Sequence, residues 1–319
     1  MPVTIRPRKD SDWEGLVEIA NAVWPDHPID GEEWRYFDQH QDSRCHYRIW
    51  VAEAEGAIVG YGELSQNPEM YHPRKYELEL AVQPHYRRQG IGSTLYQKLW
   101  QEVLPHDPLS FRVGIFEPDI ESLNYFQKRG FIEEQRNWES VLDVAVFDFT
   151  PYEGRTEKLE VDGFFLRSFR QLENDPERNH KIHDLFNIVL LDVPFSDPVT
   201  KLPFQTFQQN LQRPTLIPDG YFLMVYGDLY VGISNLWRTA NPMDVEQGIT
   251  GVRRVYRRRG IALALKLAGI RYAREQGKHR IRTNNEIGNR PMLTLNEKLG
   301  FVRQPAWISL RKRLQGSST

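Results

Sequence analysis

The sequence of 319 residues contains a single cysteine, Cys45, which excludes an internal disulfide and a zinc site built from cysteines. No apolar run approaches the roughly 20 residues that a membrane-spanning helix needs, and the N-terminus lacks the apolar stretch of a signal peptide. Histidine and acidic residues form no cluster with the spacing of metal ligands. We therefore expect a cytoplasmic protein without a membrane span or a metal site.

The net charge of −2 conceals a difference between the two halves of the sequence. Residues 1–153 carry 15 Lys and Arg against 27 Asp and Glu, whereas the remainder carries 26 against 16. These opposite charges either help the halves associate or are simply solvated, or the acidic half attracts a cationic acceptor such as an amine. No basic run interleaved with aromatic residues accompanies the basic half, so no nucleic-acid partner is predicted.

Two short motifs recur in the sequence at the same spacing, which indicates a duplication. The segment Arg87–Gly92 (RRQGIG) returns 170 residues later as Arg257–Ala262 (RRRGIA). The pair Gly130-Phe131 returns at the same distance as Gly300-Phe301. The length also fits two domains of about 150 residues each. We predict two domains separated by a linker, with the boundaries 1–150, 151–156 and 157–319.

Each half repeats one order of elements around its motif: a strand, an arginine-rich turn, a long amphipathic helix, a second strand and a shorter helix. In the first half we place these strands and helices at residues 76–82, 90–104, 109–116 and 120–129. In the second half we place them at residues 245–252, 261–276, 279–284 and 290–299. The strands that follow each Gly-Phe pair are expected to complete their own half.

The arginine-rich turn suits an anionic ligand. Its glycines let backbone N–H groups approach an anion closely, and the start of the following helix favours negative charge through the helix dipole. The turn lacks the Gly-Lys-Ser/Thr of a nucleotide-hydrolysing Walker loop and the Gly-x-Gly-x-x-Gly of a dinucleotide fold. The pattern therefore favours a pyrophosphate-binding loop in each half, with a structural turn and solvated arginines as the alternative.

These motifs in this order resemble the Gcn5-related N-acetyltransferase (GNAT) superfamily, present twice and covering nearly the whole chain. The resemblance implies an α/β (α+β) protein of two GNAT-fold domains. Each domain has, by resemblance, a mixed, mostly antiparallel twisted sheet with helices on both faces and a splayed parallel strand pair. In this family the loop holds the pyrophosphate of acetyl-CoA, and the pantetheine lies between the splayed strands. The resemblance therefore implies acetyl-CoA as the cofactor.

The resemblance also implies cofactor contacts at particular residues, including backbone contacts from the valine before each loop. In the first half these residues are Val82, Arg87, Arg88, Gln89, Gly90, Ile91, Gly92 and Ser93. In the second half they are Val252, Arg257, Arg258, Arg259, Gly260, Ile261, Ala262 and Asn289.

The resemblance is incomplete at one catalytic position. Many family members have a tyrosine four residues before the Gly-Phe glycine, placed to protonate the departing thiolate. Phe126 and Asn296 occupy that position here, and Tyr125 lies about 100° around the helix. The source of this proton therefore stays open. Asn296 is predicted to polarise the sulfur or the thioester, with helix capping and packing as its alternative role.

Acetyl transfer to an amine requires an uncharged amine, and alkyl amines with a pKa near 10 are mostly protonated at pH 7. A carboxylate can take that proton. Glu77 and Glu79 alternate with leucines on the strand before the first loop, so they share one face of that strand. We predict Glu79 as the base or an amine-binding carboxylate, with a solvated or salt-bridged face as the alternative. The 170-residue offset puts Gln247 and Ile249 at these positions, which favours the first half for catalysis.

The loop between the first two helices usually shapes the acceptor pocket in this family. Trp24 and Asp26 lie in that loop and, with Glu77, are the predicted substrate contacts. An aromatic and acidic rim suits a cationic amine, whereas helix capping or core packing is the alternative role for these residues.

We interpret the sequence as a tandem acetyltransferase that transfers acetyl from acetyl-CoA to the amine of a small-molecule acceptor. Direct attack in a ternary complex is expected, because Cys45 lies far in sequence from the motif strands. Three alternatives stay open. The second half is catalytic and the first a degenerate copy, the chain is a non-catalytic acetyl-CoA-binding module, or the acceptor is a peptide or protein.

Overall fold

The computed structural model describes residues 3–314. The first half of the sequence forms β1 (Thr4–Pro7), α1 (Trp13–Val23), α2 (Gly31–Gln39), β2 (Arg48–Ala54), β3 (Ala57–Ser65), β4 (Lys75–Val82), α3 (Ile91–Val103), β5 (Ser110–Phe116), α4 (Ile120–Gln127) and β6 (Ile132–Asp143). The second half forms α5 (Arg155–Val161), β7 (Phe164–Ser168), α6 (Arg178–Leu190), α7 (Phe204–Asn210), β8 (Leu216–Tyr226), β9 (Leu229–Arg238), β10 (Asp244–Val252), α8 (Ile261–Glu275), β11 (Arg280–Glu286), α9 (Arg290–Lys298) and β12 (Val302–Arg313). The predicted order of elements around both loops is confirmed.

The chain folds into two compact units that interleave in sequence. Unit 1 contains residues 3–136, 196–200 and 307–314, and unit 2 contains residues 137–195 and 201–306. The two units therefore do not separate at the predicted linker, part of which forms the start of α5.

The last strand of each unit comes from the opposite half of the sequence. Residues 307–313 of β12 pair with β5 in unit 1, and residues 137–143 of β6 pair with β11 in unit 2. The expectation that these strands complete their own half is therefore wrong. The physical reason is in the cores, because Ile308 and Leu310 are buried in the core of unit 1 and Leu142 in that of unit 2.

Each unit contains one parallel strand pair that separates partway along its length. In unit 1, β4 pairs with β5 only as far as Glu77, although β4 continues to Val82. In unit 2, β10 pairs with β11 only as far as Glu246, although β10 continues to Val252. The strand orders are β1-β2-β3-β4-β5-β12 in unit 1 and β7-β8-β9-β10-β11-β6 in unit 2, and the other pairs are antiparallel. The predicted mixed sheet with a splayed pair is confirmed in both units.

The helix that follows each loop is held against its sheet by one apolar face. In α3, Ile91, Leu95, Leu99 and Val103 are buried at a spacing of four residues, which places them along one side of the helix. Burying such side chains stabilises the unit by roughly 1.5–3 kcal/mol each. This packing fixes the start of α3, and with it the loop, at the end of β4.

Candidate functional site

The two loops adopt the same backbone conformation. The glycine before each helix is left-handed, with φ of 86° at Gly90 and 88° at Gly260. The arginine two residues earlier is also left-handed, with φ of 63° at Arg88 and 62° at Arg258. This conformation costs a residue with a side chain roughly 1–2 kcal/mol, so both copies keep a strained loop. Among the described residues, a Cβ atom at either glycine would meet no atom within 4 Å, which leaves open space beside each loop.

Each loop leads directly into a helix N-terminus. α3 begins at Ile91 and α8 at Ile261, one residue after the left-handed glycine. The N–H groups of a first helical turn have no carbonyl partner within the helix, and the helix dipole adds positive potential there. Loop and helix together therefore form a site that suits a phosphate or pyrophosphate group.

A cavity of about 380 Å³ in unit 1 joins this loop to the splayed strands. It is lined by residues of β4, β5, α4 and the loop, and by the residues after α1. Nine predicted site residues line it: Trp24, Glu79, Val82, Arg87, Arg88, Gly90, Ile91, Gly92 and Ser93. The structure thus brings the predicted base and most of the predicted phosphate loop to one cavity.

Three predicted residues of the first half lie elsewhere. Glu77 forms an ion pair with Arg112 and is not among the residues that line the cavity. Asp26 lies on an exposed turn, and the side chain of the exposed Gln89 donates to the carbonyl of His85 at 3.4 Å. The partner of Glu77 is the residue directly opposite it in the parallel ladder, a pairing that the sequence alone did not provide.

Glu79 belongs to a pair of carboxyl groups. Glu63 on β3 lies directly opposite it in the antiparallel ladder. The Tyr61 hydroxyl donates to Glu79 Oε1 at 2.6 Å, and the Tyr47 hydroxyl donates to Glu63 Oε2 at 3.0 Å. Burial raises the pKa of both carboxyl groups, and the charge of Glu79 raises the pKa of Glu63 further. A carboxyl group whose pKa is moved towards neutrality is suited to take and release a proton near pH 7.

Helix α4 and the turn that follows it contribute two side chains that the sequence did not identify, Tyr125 and Arg129. The hydroxyl of Tyr125 donates to the carbonyl of Gly92 at 3.1 Å, and Tyr125 lines the cavity. Arg129 lies 3.5 Å from the centre of the Tyr125 ring and donates to Ser93 Oγ at 3.0 Å. Phe126, by contrast, packs into the core of unit 1. The tyrosine on this helix therefore contacts the phosphate loop instead of occupying the usual position.

The loop of unit 2 differs from that of unit 1 in its charge partners. Arg257 Nε donates to the carbonyl of Val252 at 2.9 Å, just as Arg87 Nε donates to that of Val82 at 3.2 Å. Arg257 also forms an ion pair with Asp192, which neutralises part of the charge that the loop would offer to a phosphate. Within residues 3–314, Arg87 has no carboxylate partner.

The two predicted asparagines of unit 2 lie at opposite ends of α9. Asn289 is the N-cap residue, is half-buried, and makes no capping bond with its side chain. Asn296 is 1% exposed, and its Nδ2 donates to Asn285 Oδ1 at 2.7 Å. Its Oδ1 has no hydrogen-bond partner in the described part of the chain. The role predicted for Asn296 at a thioester stays a prediction.

A β-bulge in unit 2 changes which residues correspond between the units. Gln247 lies opposite Leu236 on β9 and Thr250 opposite Ser234, so β10 has one extra residue between them. No such shift occurs between β3 and β4. The ladders therefore match Glu77 with Glu246, so the assignment of Gln247 to that position is wrong. The bulge itself stands where unit 1 has Glu79.

Two further features of the described residues concern membrane spans and metal ligands. Within residues 3–314 no helix is long and apolar enough to cross a membrane. In the same range no three His, Cys, Asp or Glu residues are arranged to hold a metal ion.

Similar folds occur in solved GNAT proteins, one of them described as a tandem protein. A tandem GNAT protein from the clavulanic acid biosynthesis pathway, determined without acetyl-CoA, has a TM-score of 0.78 at 18% identity, covering 99% of this chain and 100% of that one. A GCN5-related N-acetyltransferase from Sphaerobacter thermophilus has a TM-score of 0.68 at 18% identity, covering 98% and 95%. Identities this low establish likeness of fold alone. Among curated proteins, none matches the chain.

The sequence matches the acetyltransferase (GNAT) family twice, over residues 13–131 and over residues 182–301. Each match contains one of the two loops and one of the two splayed strand pairs. Because these matches together span most of the sequence, the chain belongs to the acetyltransferase (GNAT) family as a tandem member.

Proposed function

We propose that the protein is an acetyl-CoA-dependent N-acetyltransferase that acts on the amine of a small molecule, with its reaction site in unit 1. The observation that carries this proposal is the cavity that Glu79 shares with the phosphate loop. Family membership makes acetyltransferase activity the expectation, and the cavity adds a reason to place it in unit 1.

The residues of unit 1 fit acetyl-CoA. Open space beside Gly90 leaves room for a diphosphate at the start of α3, and the cavity extends from there between β4 and β5. Val82 and the loop residues Arg87–Ser93 would hold the cofactor. When bound, acetyl-CoA supplies an acetyl group that is activated as a thioester.

The chemistry of the chain's own residues is proton transfer and orientation. Glu79 accepts the proton of the acceptor's ammonium group, because its raised pKa keeps it a competent base near neutral pH. Burial keeps that pKa raised, and Tyr61 holds the Glu79 carboxyl group in place. Trp24 and Phe116 line the same cavity and limit the access of water to it.

Direct attack by the amine is favoured over an acyl-enzyme. Cys45 is the sole cysteine, and it is absent from the residues that line the cavity. Burial raises the pKa of its thiol to about 11, so little thiolate is present at pH 7. Neither position nor charge state supports Cys45 as a nucleophile.

Matched substitutions in the two loops test the proposal. Gly92 and Ala262 occupy the same position in the first turn of α3 and α8, where an aspartate favours the helix but repels a phosphate. We expect Gly92→Asp to lower the release of free CoA from acetyl-CoA and a panel of amines by about 100-fold, or about 2.7 kcal/mol. Ala262→Asp should keep that activity within about threefold.

The outcomes separate the alternatives. Loss of activity in Ala262→Asp alone would move the reaction to unit 2, a possibility favoured by the orphan oxygen of Asn296 and the bulge in β10. Acetyl-CoA binding without turnover of any amine would support a non-catalytic module. Turnover of peptides but not of small amines would favour a peptide or protein acceptor. The size of the cavity argues against such an acceptor.

A further inference from the structure

The interior below the loop has different chemistry in the two units. Strand registers and helix starts match five positions, which are Leu78, Tyr96, Val113, Ile115 and Phe126 in unit 1. The matching residues in unit 2 are Gln247, Lys266, Thr283, Asn285 and Asn296. All five positions of unit 1 belong to one hydrophobic core, and four of them line its cavity. In unit 2 the same positions carry amides, a hydroxyl and an amine.

Lys266 is a buried amine without a counter-ion. It lies on the buried face of α8 and is 1% exposed. Its Nζ donates to Gln247 Oε1 at 2.5 Å and lies 5.2 Å from the centre of the Phe301 ring. Among the described residues it has no carboxylate partner, and burial lowers its pKa to about 7. An ammonium group has three donors, so two remain for a further acceptor.

Gln247 is fixed in the orientation that faces Lys266. Its Nε2 donates to Ser234 Oγ at 2.9 Å, so its Oε1 is the atom left for the amine. The Thr283 hydroxyl donates to the backbone carbonyl of Gln247 at 3.1 Å, immediately beyond the point where β10 and β11 separate. These bonds anchor one side of the Lys266 amine and leave its remaining donors without a protein acceptor.

Asn296 supplies the complementary group. Its Nδ2 is used by Asn285, but its Oδ1 is buried and unpartnered. The position is that of Phe126, whose side chain lines the cavity of unit 1. Tyr96 and Phe126, the unit 1 counterparts of Lys266 and Asn296, have ring centroids 6.5 Å apart, so we place the orphan acceptor and the buried amine in one polar interior.

Packing does not account for these groups. Unit 1 fills the matching positions with Leu, Tyr, Val, Ile and Phe, where the Tyr96 hydroxyl is also buried without a partner among the described residues, so the fold does not require amides or an amine there. A buried amine without a counter-ion and a buried amide oxygen without a donor both destabilise the unit that holds them. A ligand that supplied an acceptor to Lys266 and a donor to Asn296 would remove both penalties.

We propose that unit 2 binds a coenzyme A thioester whose acyl group carries a carboxylate. Lys266 is the cationic partner of that carboxylate, and Asn296 Oδ1 accepts from an N–H group of the cofactor's amide-bearing arm. This inference rests on the proposed function, because it takes the second loop as a coenzyme A site. Acetyl, which has no carboxylate, leaves the Lys266 amine without a counter-ion.

The test compares two thioesters that differ in one group. Succinyl-CoA and butyryl-CoA have acyl chains of similar length, which end in a carboxylate and a methyl group respectively. In full-length Gly92→Asp protein, unit 1 is blocked. We expect this protein to bind succinyl-CoA at least about tenfold more tightly than butyryl-CoA, as measured by calorimetry. Adding Lys266→Met or Lys266→Gln should reduce that ratio to about one. The second variant keeps a polar group at the site, should the first fail to fold.

Matched variants separate this inference from the proposed function. Ala262→Asp protein should bind acetyl-CoA in unit 1 and show no preference for succinyl-CoA over butyryl-CoA. Equal affinities in Gly92→Asp protein, or a preference that survives both Lys266 substitutions, would overturn the inference while leaving unit 1 unaffected. If Ala262→Asp protein binds no acetyl-CoA, the proposed function itself fails.

Discussion

The two loops of this protein are alike, whereas the interiors below them are not. Gly90 and Gly260 have nearly the same left-handed φ, and Arg87 and Arg257 bind the carbonyl of the preceding valine in the same way. Below these loops, unit 1 has a cavity lined by apolar core residues and by Glu79, which lies opposite Glu63, and unit 2 has a polar interior with a buried lysine. Duplication has thus kept the backbone conformation of the loop and altered the side chains beside it.

Under the proposed function, the difference means that cofactor anchoring and reaction chemistry are separable in this fold. Anchoring depends on backbone N–H groups and a helix start, which tolerate most changes of side chain. Proton transfer depends on particular carboxyl groups in a particular register. Family membership can therefore identify the anchor in both units, while only the side chains distinguish their roles.

The largest expected effect is on the proposed base. Glu79→Gln removes the proton acceptor while keeping the shape of the side chain, so we expect kcat/KM for an amine acceptor to fall by about 10²–10⁴-fold. Glu246→Gln is the control in unit 2 and should change this value little. A Glu79→Gln protein that kept activity within threefold of wild type would exclude Glu79 as the base.

Replacing the buried lysine tests the polar interior through stability. We expect Lys266→Met to raise the free energy of unfolding at pH 7 by about 1–4 kcal/mol, measured by denaturant titration. Because the folded pKa is about 7 and the unfolded value is near 10.5, the unfolded state binds more protons between these values. Wild type should therefore gain stability as pH rises from 7 to 10. Met has no proton to bind, so the gain from the substitution should shrink over that range.

One outcome would contradict the prediction that the buried Lys266 amine destabilises unit 2. A destabilised Lys266→Met protein with an unchanged pH dependence would show that the amine is fully stabilised by its surroundings. The asymmetry between the two interiors would then be a matter of packing alone.

A smaller effect is expected from the neighbour of the base. Burial raises the pKa of Glu79, whereas the charge of Glu79 adds to the raised pKa of Glu63, so Glu63→Gln should leave the acidic limb of the pH profile of kcat/KM near its wild-type position. Tyr47→Phe is the control, because it removes a hydrogen bond to Glu63 and keeps its carboxyl group. An acidic limb that moves to lower pH in Glu63→Gln would show that Glu63 also raises the pKa of Glu79.

The same pair also affects stability in a defined direction. The pKa values of Glu63 and Glu79 are raised in the folded state. Above pH 4.5, the folded state therefore keeps a proton that the unfolded chain has lost. The contribution to stability is therefore full at acidic pH and declines as pH rises towards the folded values. Glu63→Gln should weaken this decline in thermal unfolding curves.

The smallest effect is expected in the loop of unit 2. Asp192→Asn frees Arg257 from its ion pair, so coenzyme A should bind unit 2 about two- to fivefold more tightly in the Gly92→Asp background. Within residues 3–314 Arg87 has no carboxylate partner, so calorimetry on unit 1 in Ala262→Asp protein gives the reference value. Unchanged or weaker binding would indicate that Asp192 orients the arginine instead of neutralising it.

Local patterns in the sequence predicted much of the fold. The strands, loops and helices around both motifs follow from hydrophobic spacing and from left-handed glycines, which are properties of neighbouring residues. The strand exchange could not be predicted in this way. The segments after the two Gly-Phe pairs are both apolar strands, and nothing within either shows which β-strand it pairs with.

The residues of the candidate site also differ in whether local sequence patterns could predict them. Glu79 could be identified from its alternation with leucines, but Glu63 required the register between β3 and β4. The counterpart of Glu77 was misplaced by one residue because a bulge changes the offset within β10. Lys266 lies on the apolar face of α8, where burial and the absence of a counter-ion become visible only in three dimensions.

The most direct test of the central claim is a crystal structure of the full chain with acetyl-CoA. The account predicts electron density for the diphosphate at the N–H groups of residues 90–93, with the acetyl group in the cavity beside Glu79. Density for acetyl-CoA at the loop of unit 2 alone, with the cavity of unit 1 lacking it, would contradict the account.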